Sequence, residues 1–227
     1  TLFELAQNPE IKMFSGSVYT NETEIKIMVK LSLIKYLIDF INMPSDLAIA
    51  ILSEPQVFDN EIHSNNSNIT SNTELSSIVE KMRSNGSNAD FTFPRILERY
   101  LEMRILEPSC GSGAFLIELI NYTSQFYRNL CFAFNINESQ ADIIPEKEFL
   151  RIFISQCLFA VDINPLASSI SRFRILMRYF STITASDHNN QNKIIVPTLN
   201  IETGDFLYTP FAIDPKQINK TDIQSEL

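Results

Sequence analysis

Three short stretches of the chain carry residue types that could act together on a ligand. The first is Glu107-Pro108-Ser109-Cys110-Gly111-Ser112-Gly113, followed by Ala114-Phe115-Leu116. Two glycines one residue apart can take backbone angles closed to other residues, and they bring bare N–H groups against a ligand at a helix start. The dinucleotide fingerprint needs a third glycine where Leu116 stands, and a phosphate loop needs a Lys-Ser/Thr pair that does not follow here. A nicotinamide cofactor and a nucleoside triphosphate are both disfavoured. The second stretch, Leu158-Phe159-Ala160-Val161-Asp162-Ile163-Asn164-Pro165, closes an apolar run with an acid. An acid at such a strand tip can accept the two hydroxyls of a ribose at the carboxyl edge of an α/β sheet. It can equally cap the helix that follows. In the third stretch, Gly204-Asp205-Phe206-Leu207, Asp205 reads either as a second acceptor or as an ordinary turn acid.

These residues need a scaffold that brings strand tips together. Arg104 to Glu107, Leu158 to Asp162 and Leu199 to Glu202 read as short strands, and each of the first two runs into a helical pattern. Strands alternating with helices imply a parallel sheet. Phe149 to Ser155 also reads as helix, which makes the first crossover long. Asn164 suits an N-cap and Pro165 the first helical position after it. Upstream, Ile27, Met28, Leu31, Ile34, Leu37, Ile38 and Ile41 recur at helical spacing within Glu22 to Asn42. A second helical stretch follows Pro44 through Leu47 to Leu52, and a third covers Leu75 to Met82 until Ser84-Asn85-Gly86-Ser87 breaks it. Ser64 to Thr73 has nine Ser, Asn or Thr in ten residues and reads as a loop or boundary. The expected organisation is a helical region at 1–83 with an Asn/Ser-rich loop near 60–74, then an α/β domain at 84–227.

Composition narrows the function classes. The 227 residues are 44% hydrophobic and 20% charged, ordinary for a soluble folded protein. Eighteen Lys and Arg against 27 Asp and Glu leave a formal charge of -9, so a polyanion partner has to be gripped by a local patch or by another domain. Cys110, Cys131 and Cys157 are odd in number and far apart, which fits a reducing, cytoplasmic setting. Lys26, Lys30, Lys35 and Asp39 interrupt the most apolar stretch, too many charges for a bilayer span. The chain begins on Thr1 and reads as a piece of something longer.

Taken together, the segments Glu107 to Leu116, Val161 to Ala167 and Gly204 to Leu207 resemble the adenine-specific (N6) DNA methyltransferases of type II restriction-modification systems, in that family's order. Phe91-Thr92-Phe93-Pro94-Arg95-Ile96-Leu97 looks like the family's Tyr-Thr-Pro motif, with Phe91 in place of Tyr and Phe93 inserted before Pro94. The resemblance covers about residues 90–207. It implies a Rossmann-like α/β sheet, represented by its first strands, that holds S-adenosyl-L-methionine. By carry-over, Glu107, Cys110, Gly111 and Gly113 would surround the methionine part, with Thr92 and Pro94 closing over it. Asp162 would hold the ribose hydroxyls, Ile163 would lie on the adenine ring, Asp205 would accept from the adenine amino group and Phe206 would add apolar contact. A nucleophilic Cys110 has no identifiable base, since His63 and His188 sit in polar, loop-like surroundings, and a small-residue packing role suits it better.

The family's catalytic Asn-Pro-Pro-Tyr is not found: after Asp205, Pro210 and Pro215 stand singly. That motif would receive the extruded adenine, whose unstacking only such a pocket can offset. No catalytic residue and no metal ligand is therefore assigned in this chain. The resemblance implies double-stranded DNA as a partner through regions outside the chain, and the remainder of the enzyme or a partner subunit. Two other readings stand beside it: a methyltransferase-like subunit that binds without catalysing, or part of a protein or RNA methyltransferase.

Overall fold

The computed structural model describes residues 20–53, 75–77, 79–80, 92–136, 143–183 and 195–207. The Asn/Ser-rich run, the Ser84 to Ser87 break, Phe91, both histidines, Pro210 and Pro215 fall outside the described residues, and of the Leu75 to Met82 stretch residues 75–77 and 79–80 are described as helical.

Chain order is α1 (Glu22–Asp39), α2 (Ser45–Ile51), α3 (Phe93–Leu101), β1 (Ile105–Glu107), α4 (Ala114–Ala133), α5 (Glu146–Cys157), β2 (Leu158–Asp162), α6 (Pro165–Phe180) and β3 (Asn200–Thr203). The architecture is α/β, with a small sheet among helices. The strands pair in parallel in the order β1-β2-β3, with Leu106 opposite Phe159 and Ala160 opposite Ile201. Both connections step across the sheet in the same direction. Right-handed crossovers therefore place α4 and α6 on one face.

Local rules explain most boundaries. Asn21 caps α1 by accepting from the Thr23 N–H at 2.9 Å. Beyond α1, Asn42 takes a left-handed φ of 59° before Met43 and Pro44 redirect the chain. Gly113 opens α4 at φ +80°, and Asn135 at φ +55° follows its end. The first crossover is long because it holds two helices, α4 and α5.

One apolar core runs from Ile25 and Leu37 in α1 to Ile201 in β3. Ile25, Val29, Leu33 and Leu37 of α1 are buried at four-residue spacing, and α1 packs on α4. Carbonyls at the end of α2 are satisfied by α4, where Asn129 donates to Ile51 O at 2.8 Å and Gln125 to Ser53 O. At the centre, Tyr100 of α3 stacks on Phe126 of α4 with centroids 4.2 Å apart, flanked by Phe149 and Phe153 of α5. Among the described residues no helix is long and apolar enough to cross a membrane.

Candidate ligand site at the carboxyl edge of the sheet

Parallel strands deliver their C-terminal ends to one edge. At the tip of β1, Glu107 is half-buried and leads into Pro108, Ser109 and the glycine loop. The loop is fastened to β2 by backbone and side chain together. Cys110 N–H donates to Val161 O at 3.0 Å, and Gly111 N–H donates to Asp162 Oδ2 at 2.7 Å. The other carboxylate oxygen of Asp162 accepts from Asn164 N–H at 2.8 Å, while Asn164 Oδ1 accepts from Leu166 N–H and caps α6. Asp162 thus holds the glycine loop with one oxygen and the start of α6 with the other. β3 reaches the same edge, because Gly204 N–H donates to Asp162 O at 3.0 Å. Loop and both strand tips therefore converge, and Gly111, Asp162 and Asp205 lie at one end of the sheet.

The two glycines do different work. Gly111 has φ +53° and open space where a Cβ would stand, so its face of the loop is free to meet a ligand. Gly113 has φ +80°, and a Cβ there would run into Ser171 of α6, whose own Cβ would be 3.1 Å away. Close packing of α4 on α6 demands glycine at 113. Ser171 is fully buried, and its Oγ makes no hydrogen bond in the structure.

Electrostatics set the state of two neighbouring groups. Burial pushes the Glu107 carboxyl pKa up, countered in part by a hydrogen bond from the Ser109 backbone. Burial, with the negative charge of Asp162 adding to it, pushes the Cys110 thiol up to about 11. The nearby Ser171 hydroxyl works in the opposite direction. A thiol held this high is not a nucleophile at neutral pH. Cys110 packs under the loop, 6% exposed.

Asp205 is exposed, and its Oδ1 accepts from Leu207 N–H at 2.9 Å, so here its side chain closes a turn. Ile163 and Phe206 stand 63% and 45% exposed at the same edge, leaving apolar surface uncovered there.

Thr92 and Pro94 are not brought to this edge. Thr92 is the exposed residue before α3 and Pro94 lies in its first turn. Between them Phe93 is buried, its ring 6.4 Å from that of Tyr127 and 6.1 Å from that of Phe134. Tyr127 lies fourteen residues beyond Gly113, about 20 Å along the axis of α4 at the helical rise. The two residues therefore sit toward the far end of α4 from the glycine loop, and an assignment in which they close over a ligand on that loop does not match this arrangement. Packing of the inserted Phe93 against Tyr127 and Phe134 is what anchors the start of α3 there.

Two residues of α6 with a part in the site escaped the motif reading. Ser171 accommodates Gly113, and Arg174 reaches the loop from one turn further along. Ser168 and Ser171 are a trace of this in the sequence, since small residues three apart on a helix signal a close approach to something. Compared with protein-family models, with curated proteins and with solved structures, the chain matches none.

Proposed function

We propose that this chain holds S-adenosyl-L-methionine at the carboxyl edge of a Rossmann-like sheet and is the cofactor-binding part of a site-specific DNA adenine-N6 methyltransferase. The observation that carries the proposal is the 2.7 Å bond from Gly111 N–H to Asp162, which joins the glycine loop and the acid of the second strand into one unit. In this reading Glu107, Cys110, Gly111 and Gly113 border the methionine part, and Ile163 and Phe206 border the adenine with Asp205 as acceptor. The residues present suit such a ligand. Gly111 leaves room over the loop, the acids favour a sulfonium cation, and exposed Ile163 and Phe206 supply apolar cover for a neutral base. When bound, the cofactor supplies an electrophilic methyl group.

Asp162 keeps capacity for the ribose. A carboxylate offers about four lone-pair positions, and the two backbone N–H donors named above take one on each oxygen. Asp162 is 7% exposed, and in this reading two ribose hydroxyls would take the remaining positions. In this reading the partner is double-stranded DNA, bound through regions outside this chain, in a cytoplasmic setting. A second reading is a binding subunit without catalysis, for which the charge of -9 argues against this chain gripping a duplex itself. Both readings need cofactor affinity.

Calorimetric titration with S-adenosyl-L-methionine tests this directly. The chain should bind, and Asp162→Ala should weaken binding by about 1 to 3 kcal/mol, the range for hydrogen bonds to a charged group plus the cost of an unmoored donor. A chain that takes up no cofactor, or a folded variant with unchanged affinity, contradicts the proposal.

A further inference from the structure

We infer that Arg174 is a positioning residue for the glycine loop, setting its shape before ligand arrives; the inference rests on reading that loop as the cofactor site. Arg174 Nη1 donates to Ser112 O at 2.7 Å and lies 3.2 Å from Ser112 Oγ, joining α6 to the loop across 62 residues of sequence. Ser112 is the residue that most needs holding, because it stands between two glycines with φ of +53° and +80°. Glycine offers little resistance to rotation of an adjoining peptide plane.

Each neighbour in the loop already has an anchor. Cys110 is tied to Val161, Gly111 to Asp162, and Gly113 N–H donates to Cys110 O at 2.8 Å. The peptide joining Ser112 to Gly113 is gripped from both ends: its carbonyl points to Arg174 and its N–H to Cys110 O. Turning that plane over would break both bonds and aim an N–H at a guanidinium. The carbonyl is thus kept toward α6, and the loop presents one arrangement of its amides. The positive charge also lies near the start of α4, where the helix dipole opposes it, so the charge-assisted bond is what keeps it there.

The experiment compares the full chain with Arg174→Met, which keeps the packing of the stem and removes the donors, and with Arg174→Lys, which keeps the charge and one donor. Amide hydrogen exchange of the peptide covering 108–116 is measured without ligand, then affinity for S-adenosyl-L-methionine by calorimetry. In Arg174→Met the loop is expected to exchange about tenfold faster while the middle of α4 is unchanged, and affinity to fall about tenfold or more. Arg174→Lys should recover part of both. An unchanged loop in Arg174→Met overturns the inference, and so does an unchanged affinity in a chain whose loop has loosened. A parent chain that does not bind at all contradicts the cofactor reading, while ligand-free exchange still decides whether Arg174 holds the loop. If Arg174→Met exchanges everywhere as an unfolded chain, Arg174→Gln, which removes the charge and shortens the reach to Ser112 O, decides: native exchange in the loop with full affinity overturns the inference, and a loosened loop on a native α4 supports it.

Discussion

Glu107 shows what a single carboxyl gives up when it is half-buried at a strand tip. Its carboxyl is half-buried and its pKa is raised by that burial. A carboxyl with a raised folded pKa prefers its proton in the folded state, so stability present at low pH is lost as pH climbs from the ordinary carboxylate range through the raised value. Glu107→Gln should therefore raise the melting temperature at neutral pH, with the gap closing as pH is lowered below the ordinary Glu range. On the proposed cofactor reading the same variant should bind S-adenosyl-L-methionine more weakly, because a negative charge beside the sulfonium would be lost. Thermal melts at both ends of the pH range check the first statement; a variant less stable than the parent at neutral pH contradicts the role of burial here. Much at this scale could be read from residue types. Asp162 and the glycines stood out because their spacing implies a strand tip and a tight bend, whereas Arg174 did not, since an arginine on a helix reads as part of a solvated face until a contact shows otherwise.

Among elements, the join between α3 and α4 is the most instructive. Tyr100 Oη and Thr123 Oγ1 lie 2.9 Å apart, both residues wholly buried. Burial drives the Tyr100 phenol pKa well above its usual range, so it stays protonated and able to donate. Removing one partner strands the other. Tyr100→Phe is expected to cost about 1 to 3 kcal/mol for the unsatisfied hydroxyl left on Thr123, and Tyr100→Phe with Thr123→Val to cost less than the two single changes summed. Denaturant melts of the four proteins measure this, and simple additivity contradicts the pairing. Strand positions were legible in the sequence: β2 is Leu158–Asp162 as its apolar run indicates, and β1 and β3 are each displaced by a residue from the expected start. The placement of Thr92 and Pro94 was not legible. A motif on α3 says nothing of which end of α4 it packs against, and that is decided by Phe93 meeting Tyr127 and Phe134.

At the scale of the molecule, the described helices cover one side of the sheet. Leu158, Ala160 and Ile201 are buried on the face that α6 covers, with Leu116 of α4 beside them. On the other face Leu106 is 51% exposed, and Phe159 and Val161 are partly exposed. Parallel sheets normally have both faces covered, and a strand edge such as that of β1 invites pairing. Association driven by this face has to overcome the repulsion of a chain at -9, which salt screens. Sedimentation should therefore show association that grows with concentration and with added salt; a monomer at every concentration and salt level contradicts it. Alternation of strands and helices announced the α/β class, yet it could not tell how many layers the described residues complete, because that depends on which faces find partners.

The convergence of the strand ends and the glycine bend on one edge of the sheet is proposed to hold a nucleoside. Hydrogen exchange of the intact chain with and without saturating S-adenosyl-L-methionine tests it most directly. Protection is expected in the peptides covering 107–116, 160–166 and 203–207, with 92–101 unaffected. Protection confined to other segments, or none anywhere, contradicts it.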